Sequence, residues 1–394
     1  MFKLTDFYRY SFYRGLIKRI IVPIVFVYML SQGLDLVEIG YVIAISGIIG
    51  LVLEVPSGAI ADIFGHKRTL IISCLLQGLS MLLYITLSGF SGMLIATALY
   101  WGAGTLFTGT NDAFLYELLE KRKQTHLHKK YWGQSFAIAN AMGIVMLTLG
   151  SVLYFVDPNL PFLAGVLQFV LAAYFISSIK DGEDTHSVKK EEGFSGFWKG
   201  ILKNKHLLSV RHPFFWVAIY QSLFLGLVYA LAEFHQLFLE EMGFLIVFLG
   251  VVFACKRLLT MVSSHYAHII LERVTPIQMF VSATAWSLIL LCFYAFIQSP
   301  WLAALLVILP SIFWGMLRVS MNDVRNQFIS TGSRSSFLSL IELGNGVVKT
   351  VTVLCIGYVA TYLSLQMTYF IVPFIVVIPF ALIFIFMKHA YTRI

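Results

Sequence analysis

Twelve long apolar stretches recur along the 394-residue chain, and they constrain its fold more than any other feature. A helix needs about 20 apolar residues to cross the hydrocarbon core of a bilayer. The stretches cover residues 12–32, 36–61, 69–88, 92–119, 132–156, 161–179, 213–239, 244–270, 276–297, 301–324, 336–362 and 366–387. Because hydrophobic residues make up 59% of the chain and charged residues only 12%, a water-soluble globule is excluded. The sequence predicts an all-α membrane protein with twelve transmembrane helices.

The basic residues lie on one side of this pattern of spans. With the N-terminus placed inside, the inner connections contain the lysines and arginines that lie outside the spans. The outer turns contain four acids and no base, namely Asp35, Asp157, Glu240 and Glu241. Cytoplasmic loops carry the excess of Lys and Arg in membrane proteins. We therefore expect both termini to be cytoplasmic, in the cytoplasmic (inner) membrane of a bacterium. The net charge of +8 follows from this topology and does not indicate a nucleic-acid partner.

One long polar interval divides the spans into two groups of six. It predicts an N-terminal six-helix bundle over residues 1–180, a cytoplasmic linker over 181–211 and a C-terminal six-helix bundle over 212–394. Within the linker, Phe194, Phe197 and Trp198 recur at helical spacing among lysines. This pattern favours an amphipathic helix on the inner leaflet. An unstructured linker with isolated aromatic residues is the alternative.

The strongest local motif follows the second span. It reads Gly58-Ala59-Ile60-Ala61-Asp62-Ile63-Phe64-Gly65-His66-Lys67-Arg68. Gly58 permits close helix approach, Gly65 permits a tight turn, and Asp62 suits a helix N-terminus or a base. These properties predict a gate motif formed by Gly58, Asp62, Gly65, Lys67 and Arg68.

Here the chain resembles the major facilitator superfamily, whose signature between its second and third helices is Gly-x-Leu-Ala-Asp-Arg-x-Gly-Arg-Arg/Lys. Ile60, Ile63 and His66 depart from that signature. The resemblance implies two pseudo-symmetric six-helix bundles. Within the superfamily, the chain is similar to a poorly characterised branch that resembles efflux and siderophore-type permeases. The fourth span lacks the arginine and the fifth lacks the Gly-Pro motif of that family's drug exporters, which weakens a role in drug/proton antiport.

Seven basic residues lie inside predicted spans. A charge at the bilayer centre costs about 3 kcal/mol on insertion scales, so such residues usually face a wet cavity or a partner. Arg14 is within one turn of the inner surface, and we expect it to be a topology anchor. The other six are predicted to bind an anionic substrate: Lys18, Arg19, Lys256, Arg257, Arg318 and Lys349.

Four acids also lie inside the spans. Glu54, Asp112, Glu233 and Glu342 are candidates for proton coupling. A structural network in which these acids neutralise the bases is the competing interpretation. Because seven bases outnumber four acids, we expect a central cavity of positive potential.

The sequence therefore predicts a proton-coupled secondary transporter of a small organic anion, a carboxylate-rich metabolite or siderophore, that works by alternating access. The alternatives are a drug/proton antiporter for hydrophobic compounds and a non-transporting membrane receptor or scaffold. The sequence lacks nucleophile and phosphate-binding motifs, so we expect no enzymatic activity. We expect no cofactor, no metal, no disulfide and a monomeric state.

Overall fold

The computed structural model describes residues 4–17, 20–179, 201–202, 204–328 and 334–392. Several residues within these ranges, among them Gly58 and Asp62, are described by their backbone only. Lys18 and Arg19 lie outside the described residues, as does nearly all of the expected surface helix of the linker. Every regular element in the described ranges is a helix.

The chain divides into two compact units. The first comprises Met1–Lys190 with Leu245–Ala254, and the second comprises Glu191–Phe244 with Cys255–Ile394. The helices before the linker are α1 Leu4–Leu16, α2 Val25–Ser31, α3 Leu36–Phe64, α4 His66–Thr86, α5 Gly89–Glu120, α6 His128–Val156 and α7 Leu160–Ser177. A capping box starts α3, where Asp35 accepts from the backbone of Glu38 and Glu38 accepts from that of Asp35. This reciprocal pair satisfies two amides that the helix leaves unbonded.

The helices after the linker are α8 Pro213–Glu241, α9 Leu249–His265, α10 Ala267–Leu271, α11 Pro276–Phe293, α12 Pro300–Ile308, α13 Ser311–Phe328, α14 Arg334–Tyr362 and α15 Leu365–Tyr391. Pro310 separates α12 from α13, because proline removes a helical hydrogen bond and clashes with the preceding turn. Eleven segments of the described chain are long and apolar enough to cross a membrane. They match the second to twelfth predicted spans and confirm the all-α membrane class.

The first predicted span is not one continuous helix. Alpha-helix α1 ends at Leu16 and α2 begins at Val25, with turns at residues 20–24. Broken helices at membrane depth require other groups to satisfy the freed backbone. The side-chain amide of Gln168 donates to the carbonyl of Leu16, and a Cβ on Gly150 would overlap the carbonyl of Ile20. The prediction of one continuous helix over 12–32 is therefore wrong. The helix is interrupted where α7 bonds the freed carbonyl of Leu16 and α6 leaves room for that of Ile20.

The two units use equivalent helix pairings. In the first unit α1 packs against α6, and α4 packs against α7. In the second unit α8 packs against α14, and α11 packs against α15. These are the first with the fifth span and the third with the sixth span of each group of six. The repeated pairing is the pseudo-symmetry expected of two six-helix bundles.

Candidate functional site

In the first unit, Arg14 is buried and held by α5 and α6. Its Nη1 donates to the Ser135 hydroxyl at 2.9 Å and to the Trp132 carbonyl at 3.4 Å. The guanidinium also lies over two aromatic rings, 4.9 Å from the Trp132 centroid and 5.5 Å from that of Phe136. These two rings are stacked on each other because they are four residues apart on α6. The contacts fix the arginine in one orientation.

Asp112 is the acid that faces this arginine. Its Oδ1 lies 3.7 Å from Arg14 Nη2, and the side chain is 59% exposed. The same oxygen accepts from Trp132 Nε1 at 2.9 Å and from Asn111 Nδ2 at 3.1 Å. A separation of 3.7 Å is an ion pair and too long for a hydrogen bond. The pair is thus loose, with a buried cation and an accessible carboxylate.

Arg14 is therefore more than the topology anchor expected from its position. Its side chain is only 8% exposed, whereas an anchor reaches the headgroups. No local sequence pattern predicts this pairing, because 98 residues separate the two partners. The spacing of Trp132 and Phe136 on one helix face was the available signal, and sequence reasoning missed it.

The gate motif surrounds the turn between α3 and α4. Gly65 has φ +83°, a conformation that glycine adopts without a Cβ clash. Lys67 Nζ donates to the carbonyl of Ile179 at 2.6 Å, and Arg68 is exposed. His66, where the family signature has arginine, lies 2.7 Å from Glu117 Oε2, while Lys121 binds the other oxygen at 2.9 Å. The structure thus brings His66 into contact with α5 and Lys67 into contact with the segment that follows α7.

In the second unit, Lys349 on α14 pairs with Glu233 on α8. Their Nζ and Oε1 atoms are 2.5 Å apart, and the side chains are 18% and 22% exposed. The predicted substrate-binding lysine and the predicted proton-coupling acid are therefore bonded to each other. This pair, like that of Arg14 with Asp112, belongs to the ion-pair alternative that the sequence left open.

Arg318 on α13 has a different environment. Its side chain is exposed, and it forms no ion pair with any residue that the structure describes. Trp314 lies one turn earlier on the same helix, with its ring 5.6 Å from that of Tyr229 in an edge-to-face arrangement. Arg318, Arg325 and Glu342 all act electrostatically on the Tyr229 phenol. The cluster of Arg318, Trp314 and Tyr229 combines a cation with two aromatic rings. No role for either ring was predicted from the sequence.

The two remaining predicted bases lie side by side on α9. Lys256 Nζ is 2.9 Å from His235 Nδ1. Arg257 is half-buried and makes no ion pair within the described residues. Of the other acids, Glu342 is exposed and accepts from Asn345 at 2.9 Å, and Glu54 is exposed on α3. The described residues contain no group of three His, Cys, Asp or Glu side chains suited to a metal.

The comparisons with known proteins decide the family. The profile described as Major Facilitator Superfamily matches residues 11–341. The chain belongs to the major facilitator superfamily. A relative in Bacillus subtilis (strain 168), the "Uncharacterized MFS-type transporter YxaM", is 25% identical over 264 residues. That match spans 64% of this chain and 62% of the relative's length.

Solved structures show the same fold. A mutant of the nucleoside transporter NupG superposes with a TM-score of 0.80 at 16% identity, covering 98% of both chains. A bacterial homologue of the human lysosomal transporter Spinster, inward-facing and unoccupied, superposes with a TM-score of 0.76 at 11% identity, covering 99% of this chain and 97% of the other. The chain is thus a multi-pass membrane protein with the twelve-helix architecture of the superfamily.

Proposed function

We propose that this superfamily member is a secondary active transporter that moves a small organic anion by alternating access, coupled to protons. The substrate class is a carboxylate-rich metabolite or siderophore. The protein lies in the cytoplasmic membrane of a bacterium with both termini in the cytoplasm, and it works as a monomer.

One observation carries the anion proposal: the exposed Arg318 is one helical turn from Trp314, acts electrostatically on the Tyr229 phenol, and has no acid paired with it in the described chain. Arginine binds carboxylates through two parallel hydrogen bonds. Aromatic rings next to it supply an apolar wall and restrict how a ligand lies. An organic acid fits this combination of groups.

The pairing of other bases changes the site that the sequence predicted. Arg14 and Lys349 each face an acid, so their charges are largely neutralised. The anion site therefore rests on Arg318 first, with Arg257, Lys18 and Arg19 as further candidate ligands. Lys256 and Lys349 keep a candidate role only where a substrate displaces their present partners.

The proton-coupling proposal rests on the accessible acids. Asp112 is 59% exposed and only loosely paired with Arg14. Because the two side chains share no hydrogen bond, protonation of Asp112 breaks none between them. Glu233, by contrast, is held closely by Lys349. We propose Asp112 as the first coupling site, with Glu54, Glu233 and Glu342 as the other candidates.

Transport by purified protein in proteoliposomes tests the proposal. A panel of di- and tricarboxylates is offered with and without an inward proton gradient. Arg318→Gln is expected to lower uptake roughly 10- to 100-fold, because a hydrogen bond to a charged group contributes about 1.5–3 kcal/mol. Arg211→Gln is the matched control, since Arg211 is exposed in the turn before α8. Equal uptake by both variants and wild type contradicts the assignment of Arg318.

Export of lipophilic cations is the second candidate. The exposed carboxylate of Asp112 beside Trp132 favours it, because acids with aromatic neighbours bind organic cations. Efflux of a fluorescent lipophilic cation from vesicles, lost in Asp112→Asn and kept in Arg318→Gln, supports this candidate against the anion transporter.

A further inference from the structure

Two bases share a hydrogen bond inside the second unit. Lys256 Nζ lies 2.9 Å from His235 Nδ1, both residues are half-buried, and both are in segments able to cross a membrane. A lysine ammonium has only donors. With Lys256 as the ammonium, His235 Nδ1 is the acceptor and the ring proton lies on Nε2. The geometry describes two bases that hold one proton between them.

The ammonium of Lys256 opposes a second proton on His235. The helices that carry the pair or pack against it hold further titratable or charged groups, among them Glu233, Glu240, Glu241, Arg257, Glu342, Lys349 and Tyr369. Glu233, two residues before His235, is bonded to Lys349. The Tyr369 phenol donates to the carbonyl of Leu231 at 2.8 Å, and its ring centroid is 6.1 Å from that of His235. An imidazolium here would face the ammonium of Lys256 in a medium of low dielectric constant, where like charges repel strongly.

We infer that His235 and Lys256 form a proton-binding site that holds one proton at neutral pH and takes up a second only when an anion lies beside Lys256. The anion offsets the repulsion, so anion and proton binding strengthen each other. The second proton goes to His235 Nδ1, and the Lys256 ammonium then donates to the anion instead. This proton-binding site deepens the proposed function, because it assigns proton coupling to a pair of bases in addition to the carboxylates. The role of the site in transport rests on the proposed function.

Histidine NMR on the full-length protein in detergent tests the one-proton state without any substrate. His235→Gln identifies the resonance of His235, and His265→Gln identifies that of an exposed histidine on α9. In wild type the ring of His235 is expected to stay neutral at pH 6, with the proton on Nε2. In Lys256→Met, His235 is expected to be protonated at pH 6 because the neighbouring charge is gone, and in Lys256→Arg it is expected to stay neutral. A protonated His235 ring at pH 6 in substrate-free wild type overturns the inference. This reading is made on the wild-type protein, and His235→Gln serves only to assign the resonance.

The second experiment adds citrate as the anion probe. When citrate saturates the protein at pH 6, His235 is expected to take up a proton from the buffer. The protein is expected to release no protons, and the resonance of His265 is expected not to change. A His235 ring that stays neutral in citrate-saturated protein overturns the coupling role. A protein that binds no carboxylate contradicts the proposed function, while the substrate-free titration still decides whether the pair holds a single proton. The two failures are therefore distinguishable.

Discussion

Arg14 shows how much the shape of a cation matters at a single residue. Lysine would serve equally well as a topology anchor, but it lacks the planar fork that bonds Ser135 and lies over Trp132 and Phe136. We expect Arg14→Lys to lower stability by about 1–2 kcal/mol, the range of a desolvated cation–π contact with its hydrogen bonds. Thermal unfolding in detergent measures the change. Arg211→Lys, at an exposed site, is the control, and equal melting of both variants would return Arg14 to an anchoring role.

The pair of Lys349 with Glu233 allows a double-mutant cycle. Each side chain is only about one-fifth exposed, so removing one partner leaves a charge without its counterion. We expect Lys349→Met and Glu233→Gln each to lower the free energy of unfolding by about 3 kcal/mol, the lower limit for breaking a buried pair. The double variant is expected to recover most of that loss. Chemical denaturation followed by tryptophan fluorescence measures all four proteins, and additive losses would contradict the pairing.

At the scale of elements, the sequence predicted where the helices lie but not where the first one breaks. Pro23 predicts a kink in the apolar stretch around it, but not the interruption seen between Leu16 and Val25. The break depends on Gln168 and Gly150, which are more than a hundred residues away and contact the chain near Leu16 and Ile20. Likewise, pairing of Arg14 with Asp112 or of Lys349 with Glu233 depends on helix packing. Local sequence shows charge and periodicity. Which of several acids pairs with a given base is determined by how the helices pack.

Two glycines on α6 test the support of the broken span. A Cβ at Gly150 would overlap the Ile20 carbonyl, whereas a Cβ at Gly133 meets nothing within 4 Å. We expect Gly150→Ala to destabilise the protein by about 1–3 kcal/mol through overpacking. The same change at Gly133 is expected to stabilise it by about 0.5–1 kcal/mol, because alanine suits a helix interior better. Parallel melting curves compare the two, and matching shifts would exclude a close contact at Gly150.

The start of α8 depends on a histidine that can titrate. His212 Nδ1 accepts from the backbone N–H of Phe214 at 3.2 Å, and burial together with nearby His206 lowers the pKa of His212. The unfolded chain therefore binds the proton more tightly, so stability falls as the pH drops below about 6.5, the ordinary histidine value. Protonation also removes the acceptor that caps the helix.

We expect His212→Asn to reduce this loss on acidification, because asparagine is a strong N-cap that does not titrate. The measurement is the difference in melting temperature between pH 7.5 and pH 5.5 for the variant and the wild type. His126→Asn, at an exposed position on the other side of the linker, is the control. An unchanged pH dependence in His212→Asn would assign the acid sensitivity to other groups.

At the scale of the whole molecule, the distribution of bases predicts which turns face the cytoplasm. The turns after the fifth and eleventh spans contain exposed Pro158 and Leu363 and no base, while the inner connection that contains His126 is rich in Lys and Arg. Single cysteines at these three positions, in a variant lacking Cys74, Cys255, Cys292 and Cys355, report the side of the membrane. With a membrane-impermeant maleimide on intact cells, Pro158→Cys and Leu363→Cys are expected to react and His126→Cys to react only after lysis. Reaction of His126→Cys in intact cells would reverse the predicted orientation, and labelling at only one of the two outer positions would contradict the predicted sidedness of the turn that stays unlabelled.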